Sequence, residues 1–382
     1  MTPPVILQVL PSLVTGGVER GTLEITEAVA AAGWTALVAS AGGPLVAAIK
    51  RAGGRHIALP LDTRNPMAIL RNAGRLARLI TDAGADIVHA RSRAPAWSAW
   101  LAARRTGAHF VTTYHGAYGE DLPLKRHYNA VMARGQIVIA ASGFVAGLIG
   151  MRHGTDPARI RIIPRGVDPV VFDTTAVTAE RRARLAASWA LPPGRPVIML
   201  PARLTGWKGQ TVLLDAAARL SARGAIIVLV GSDQGRTRTS AALRQQAARL
   251  GIADRLRMPG HCSDMPAALS LADVVVHAST APEAFGRVVI EAQAMGRPVI
   301  AADLGGPVET VEHGVTGWRV PPGDPAALAA AIEHVLALPP AERIAIGARA
   351  RTAVLARCTT RAMQAATLEA YREVLGLTDL CP

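Results

Sequence analysis

Short apolar runs rich in Val and Ile alternate along the whole chain with longer stretches in which Ala, Leu and Arg recur at helical spacing. In the first half, runs at 5–10, 35–40, 56–59, 86–89, 110–114 and 137–140 read as strands, and segments 18–31, 66–82 and 95–104 read as helices. In the second half, strands are expected at 197–201, 226–230, 256–258, 274–277 and 299–301. Helices are expected there at 208–221, 239–250, 265–271, 285–294 and 325–336. Strand–helix alternation with short links predicts an α/β fold with parallel, doubly wound sheets, because a parallel crossover needs a connecting element.

The alternation pauses between 168 and 196, where a charged helix at 179–188 precedes Leu191-Pro-Pro-Gly-Arg-Pro196. Proline and glycine there resist further helix and suit a linker. One sheet for the whole chain would need more than about ten strands, so two domains are expected. Their expected limits are 1–190 and 191–360, followed by a helical segment at 361–382 whose allegiance is open, packing back on the first domain being one option. Two open sheets facing each other offer a cleft at the carboxyl ends of their strands, which makes the residues just after strands the ones to examine.

Composition narrows the partners. The 382 residues carry a net charge of +14, and only Lys50, Lys125 and Lys208 are lysines, so the excess is arginine. The first 165 residues hold 19 basic against 9 acidic side chains, which concentrates the surplus in the first half. Such a balance suits an anionic partner, or simply a well-solvated arginine-rich surface. A nucleic-acid binder is disfavoured: six Trp, four Tyr and four Phe give no interleaved aromatics, and no binding motif is present. Cys262, Cys358 and Cys381 have neither disulfide-framework nor metal spacing, which fits a reducing compartment. The amino-terminal run lacks a basic n-region and reads as a strand rather than a signal peptide. Residues 28–49 are free of charge over 22 positions, yet Gly33, Ser40, Gly42, Gly43 and Pro44 break them into helix end, strand, turn and new helix.

Four constellations carry candidate chemistry. In Pro201-Ala-Arg-Leu-Thr-Gly-Trp-Lys-Gly209, Arg203 and Lys208 follow a strand and could grip a diphosphate, Arg as a bidentate donor and Lys as a point charge. Either cation alone reads equally well as surface charge. In Pro282-Glu-Ala-Phe-Gly-Arg-Val-Val-Ile-Glu291, a helix expected to begin at Phe285 would turn the N–H groups of Gly286, Arg287 and Val288 toward an anion. Glu283 before that start and Glu291 inside the helix would lie roughly 10 Å apart along the axis, one near a sugar and the other near a ribose. In Thr112-Thr-Tyr-His-Gly116, His115 stands at the end of a strand and could serve a substrate hydroxyl, or be an ordinary core histidine. In Val14-Thr-Gly-Gly-Val-Glu-Arg20, Gly16 and Gly17 form a turn before a helix without the GxGxxG fingerprint. Weaker candidates are Gly305-Gly-Pro-Val-Glu309, Ile163-Pro-Arg-Gly-Val-Asp168, and Arg91 with Arg93 as contacts for an anionic acceptor. No Asp-x-Asp or His/Cys cluster supports a bound metal, so leaving-group stabilisation would fall to cations and helix N–H groups.

Taken in order along nearly the whole chain, these motifs resemble glycosyltransferase family 4: the early Gly-Gly loop, Thr113-Tyr-His-Gly116, Pro164-Arg-Gly-Val-Asp168, the Arg203–Lys208 loop, the Glu283/Glu291 pair, Gly305-Gly-Pro-Val-Glu309 and Gly314-Val-Thr-Gly317. The resemblance implies two facing Rossmann-like domains of the GT-B type with a cleft between them, an acceptor-binding domain first and a nucleotide-sugar-binding domain second. It implies a retaining hexosyltransferase with no cofactor and no metal, using a nucleotide-diphosphate sugar, UDP-, GDP- or ADP-linked, as donor. Arg203 and Lys208 would bind the diphosphate, Glu283 the sugar hydroxyls, Phe285 and Gly286 would supply backbone donors, Glu291 would bind the ribose, and His115 would lie beside the sugar. Many members have Asn where Arg165 stands, which leaves that loop's contacts in question. Within the family, the basic first half and His89-Ala-Arg-Ser-Arg-Ala-Pro-Ala-Trp97 look like bacterial lipopolysaccharide-core transferases. That implies an anionic glycan or glycolipid acceptor and a cytoplasmic enzyme with peripheral contact at the inner membrane face. A nucleotide-sugar epimerase or a phosphorylase on the same fold is the alternative.

Overall fold

The computed structural model describes residues 2–14, 16–120, 122–221, 224–235 and 237–377. The chain divides into two compact units, one of Met1–Arg165 with Thr360–Pro382 and one of Gly166–Thr359.

The first unit is built on seven parallel strands: β1 (Val5–Val9), β2 (Thr35–Ser40), β3 (Arg55–Ala58), β4 (Ile87–Ala90), β5 (His109–Tyr114), β6 (Ile137–Ala140) and β7 (Ile160–Ile162). Their order is β3-β2-β1-β4-β5-β6-β7, so the winding reverses between β1 and β4. The apolar runs that predicted strands fill the sheet interior: Ile6, Ile87, Val111, Ile137 and Ile139 form one core with Ile25 and Val29 of the helix Gly17–Ala31. The last helix, Thr360–Val374, adds Met363, Ala370 and Tyr371 to that same core.

The second unit carries six parallel strands: β8 (Val197–Pro201), β9 (Ile226–Val230), β10 (Leu256–Gly260), β11 (Val274–His277), β12 (Val299–Ala302) and β13 (Trp318–Val320). Their order is β10-β9-β8-β11-β12-β13, and here the winding reverses between β8 and β11. Ile198, Leu200, Ile227, Leu229, Val274, Val276 and Ile300 are buried against flanking helices, as expected of strands covered on both faces.

Several expectations need correction. The boundary falls between Arg165 and Gly166 rather than near 190. Residues after 165 are tied to the second unit: the Val167 N–H donates to the Cys358 carbonyl, Phe172 is buried, and Arg181 grips Asp264 through two hydrogen bonds of 2.6 and 2.5 Å. The short strands β7 and β13 and the helices Pro123–Asn129, Gly143–His153 and Pro340–Arg357 were absent from the sequence reading. The uncharged stretch 28–49 folds as expected, as a helix end, strand β2 and the helix Val46–Arg51. Among the described residues, no helix is long and apolar enough to cross a membrane.

Candidate functional site

In the second unit, the reversal between β8 and β11 brings two loops side by side. The loop after β8 carries Arg203 and Lys208, and the loop after β11 carries Glu283. They are pinned by the Thr280 N–H donating to the Trp207 carbonyl at 2.8 Å. Gly209, in the left-handed region at φ 76°, packs directly on the Ala278 carbonyl, where any β-carbon would overlap. The helix after this loop therefore runs Gln210–Arg219, and Lys208 sits in the preceding turn rather than in the helix expected at 208–221.

Glu283 is the focus. Its Oε1 receives Lys208 Nζ at 2.6 Å, His277 Nε2 at 2.6 Å and the Ser279 hydroxyl. Burial works to raise its carboxyl, but His277 and Lys208 alongside outweigh that and hold it below the usual carboxylate range. The backbone of Glu283 is fixed as well: its carbonyl accepts from the Gly306 N–H at 2.9 Å, and it bridges to Gly305 in parallel strand fashion. Gly305 and Gly306, among the weaker candidates of the sequence, thus let their loop close onto residues 283–285.

The following helix is Arg287–Ala294, two residues later than expected. Gly286 caps it in the left-handed conformation at φ 81°, against the Pro307 ring, and Phe285 is buried rather than opening the helix. Val288 lies in the first turn, and Glu291 is buried, 3.8 Å from Arg287 in an i,i+4 pair. Arg287 also donates to the Gly166 carbonyl at 3.2 Å. Arg203 stays exposed, its carbonyl accepting from Gln210 at 2.9 Å. Lys208 lies over the Trp207 ring at 4.4 Å. So the structure brings Lys208, Glu283 and the helix start together, with Lys208 engaged by the carboxylate. Sequence reasoning missed His277. It ends β11, where the search for residues at strand ends would have found it, but it read there as one more strand position.

In the first unit, His115 follows β5 and accepts at Nδ1 from Arg165 Nη2 at 2.6 Å, while its backbone N–H donates to the Tyr118 hydroxyl at 3.3 Å. Burial, reinforced by Arg165, Arg91 and His89, pushes its imidazole well below the usual range, so the ring is neutral. His89, fully buried, hydrogen-bonds Tyr371 at 2.6 Å and Thr113 at 2.7 Å, and is likewise held low, first by burial and then by Arg91. Arg91 is a core residue at 1% exposure, donating to Gln8 at 3.1 Å, and not a surface contact for an acceptor. Arg93 donates to Asn129 at 2.9 Å and stacks over Tyr118. An open pocket of about 550 Å³ beside it is lined by Asp62, Arg64, Arg93, Lys125 and Tyr128 among others. Gly16 caps and Gly17 opens the helix Gly17–Ala31, with Glu19 in its first turn and close to Gly16, while Thr15 of that loop lies outside the described residues. A carboxylate in that first turn already complements the helix dipole. Among the described residues, no group of three His, Cys, Asp or Glu could hold a metal ion.

Comparison with known proteins adds three findings. Residues 15–171 match the family model described as Glycosyltransferase Family 4, and residues 181–352 match the model for Glycosyl transferases group 1. A solved glycosyltransferase from Rickettsia africae ESF-5 is similar at 36% identity over 98% of this chain and 99% of its own, with a TM-score of 0.91. Curated relatives named D-inositol 3-phosphate glycosyltransferase include one from Mycobacterium bovis, 31% identical over 76% of this chain and 62% of its own length. The chain spans less than two-thirds of the length of such relatives. The Anabaena protein Alr3699/HepE, solved in complex with UDP-glucose, shares the fold at 24% identity and a TM-score of 0.86, covering 96% of this chain and 99% of that one.

Proposed function

Because this chain belongs to the family 4 glycosyltransferases, we propose that it transfers a hexose-type sugar from a nucleotide-diphosphate sugar to a hydroxyl of an anionic glycan or glycolipid acceptor, with retention. The observation that carries this is the clamp on Glu283. Three donors on Oε1 hold the carboxylate ionised and fixed in direction, leaving Oε2 to accept hydrogen bonds from sugar hydroxyls. A carboxylate held in place before the bond to the sugar breaks loses no energy in reorganising as charge develops.

The donor diphosphate is assigned to Arg203, Lys208 and the helix start at Gly286, Arg287 and Val288, which supply positive charge and N–H groups for the leaving nucleoside diphosphate without a protein-held metal. Lys208, already paired with Glu283, would be shared between carboxylate and phosphate. Glu291 is assigned to the ribose, and Phe285 sets the backbone that precedes the helix. His115 is assigned to the sugar. Gly16 and Gly17, at the start of the helix Gly17–Ala31, are assigned to the donor as well. The second unit is then the nucleotide-sugar unit and the first the acceptor unit.

Two features support a phosphate-bearing acceptor: the curated relatives' name, which specifies an inositol phosphate, and the arginine surplus of the first unit with the Arg64–Arg93–Lys125 pocket. A place in lipopolysaccharide-core synthesis, in the cytoplasm at the inner membrane face, is the reading carried by residues 89–97 together with the basic first half. Incubation with UDP-, GDP- and ADP-sugars plus phosphorylated and unphosphorylated acceptors, with and without EDTA, tests the proposal. The expected outcome is a glycoside with the donor's anomeric configuration and free nucleoside diphosphate, undiminished by EDTA. Epimerised donor without acceptor, or sugar 1-phosphate, would replace transfer by the epimerase or phosphorylase reading.

A further inference from the structure

His115 and Arg165 lie 50 residues apart, after β5 and β7, and meet at 2.6 Å through His115 Nδ1 and Arg165 Nη2. A guanidinium has donors and no acceptor, so Nδ1 must accept at this contact. A neutral ring whose Nδ1 accepts carries its hydrogen on Nε2. That Nε2 is buried and has no hydrogen-bond partner among the described residues. The groups acting on the ring are the guanidiniums of Arg165 and Arg91 and the neutral His89 imidazole, from the loops after β7 and β4 and from β4 itself, while the Tyr118 hydroxyl, from the loop after β5, accepts from the backbone N–H of His115. A proton added to the ring would stand beside two fixed positive charges.

We propose that Arg165 is a positioning residue that fixes His115 as the neutral Nε2–H tautomer, making the ring a committed hydrogen-bond donor to a substrate oxygen and not a base. The inference rests on the reading of the site as a glycosyltransferase's. A buried N–H with nothing to donate to is a desolvation cost that an oxygen ligand removes. The same arrangement keeps His115 from accepting the acceptor hydroxyl's proton: Nε2 has no lone pair to offer, and the Nδ1 lone pair is taken by Arg165.

The test is nitrogen NMR of the full chain labelled in its histidines, with the His115 signals assigned through His115→Gln. The wild-type ring should show a protonated-type Nε2 and an unprotonated-type Nδ1, unchanged from roughly pH 5.5 to 8. Arg165→Gln should convert this to a tautomer mixture or bring a titration into that window, and lower kcat/KM about tenfold. Arg165→Lys, still a pure donor, should restore the wild-type ring pattern. A wild-type Nδ1–H, a wild-type ring that titrates in the window, or an unaltered His115 spectrum in folded Arg165→Gln would each overturn the proposal. Should Arg165→Gln not fold, the wild-type spectrum and Arg165→Lys still decide. The spectra do not depend on turnover, so a wild-type protein without transferase activity would sink the enzymatic reading and leave the tautomer result standing.

Discussion

At Glu283, one carboxylate oxygen gathers an ammonium, an imidazole nitrogen and a hydroxyl. Its depressed pKa has a sign: a group ionised more readily in the folded state stabilises the fold above its unfolded pKa and loses that contribution as pH falls through the folded value. The stability difference between wild type and Glu283→Gln should therefore be constant above about pH 5 and shrink in acid, as read by denaturant unfolding at several pH values. Histidines 89 and 115 act at higher pH. Both are held neutral when folded, while the unfolded chain takes up protons below about pH 6.5, so stability should fall by up to about 1.4 kcal/mol per pH unit per ring as pH drops from 6.5. In His115→Gln that slope should lose one ring's share. Lys208 and Glu283 were legible in the sequence because each follows a strand and precedes a glycine and a helix. The pairing of His115 with Arg165 was not, since nothing local links positions 50 apart and the contact exists only once β5 and β7 share a sheet.

Among the elements, the strands were the most legible, because runs covered by helices on both faces have to be apolar throughout. β7 and β13, three residues each, are too short for a periodic signal. Both helices that follow the Lys208 and Glu283 loops begin two residues later than expected, at Gln210 and Arg287, because Gly209 and Gly286 take left-handed conformations that end the loops. These loops make a paired prediction. Gly209→Ala places a methyl into the Ala278 carbonyl at a positive φ and should cost more than about 1–2 kcal/mol in unfolding free energy, with loss of transfer. Gly206→Ala, three residues earlier in open space, should stay within about 0.5 kcal/mol. Equal effects at both sites would mean that the two loops are not held by this close approach.

For the whole molecule, the two-unit division was legible and its position was not. Proline and glycine at 191–196 look like a linker, but the charged helix Ala179–Ser188 is held to the second unit by the Arg181–Asp264 pair, a contact 83 residues long in sequence. The last helix, likewise, supplies the first unit's core with Tyr371, whose hydroxyl meets His89. Truncation after Thr359 should expose that core and lower the first unit's melting, while nucleotide binding, assigned to residues 166–359, persists in calorimetry. Tyr371→Phe, which removes one buried hydrogen bond, should cost about 1–2 kcal/mol by the same unfolding measurement. The most direct test of the central claim is the release of nucleoside diphosphate from a nucleotide sugar by wild type and Glu283→Gln, side by side, with circular dichroism to verify the fold. The clamp account predicts a loss in kcat/KM of about a hundredfold or more in a folded variant; a folded Glu283→Gln protein working at the wild-type rate would contradict it.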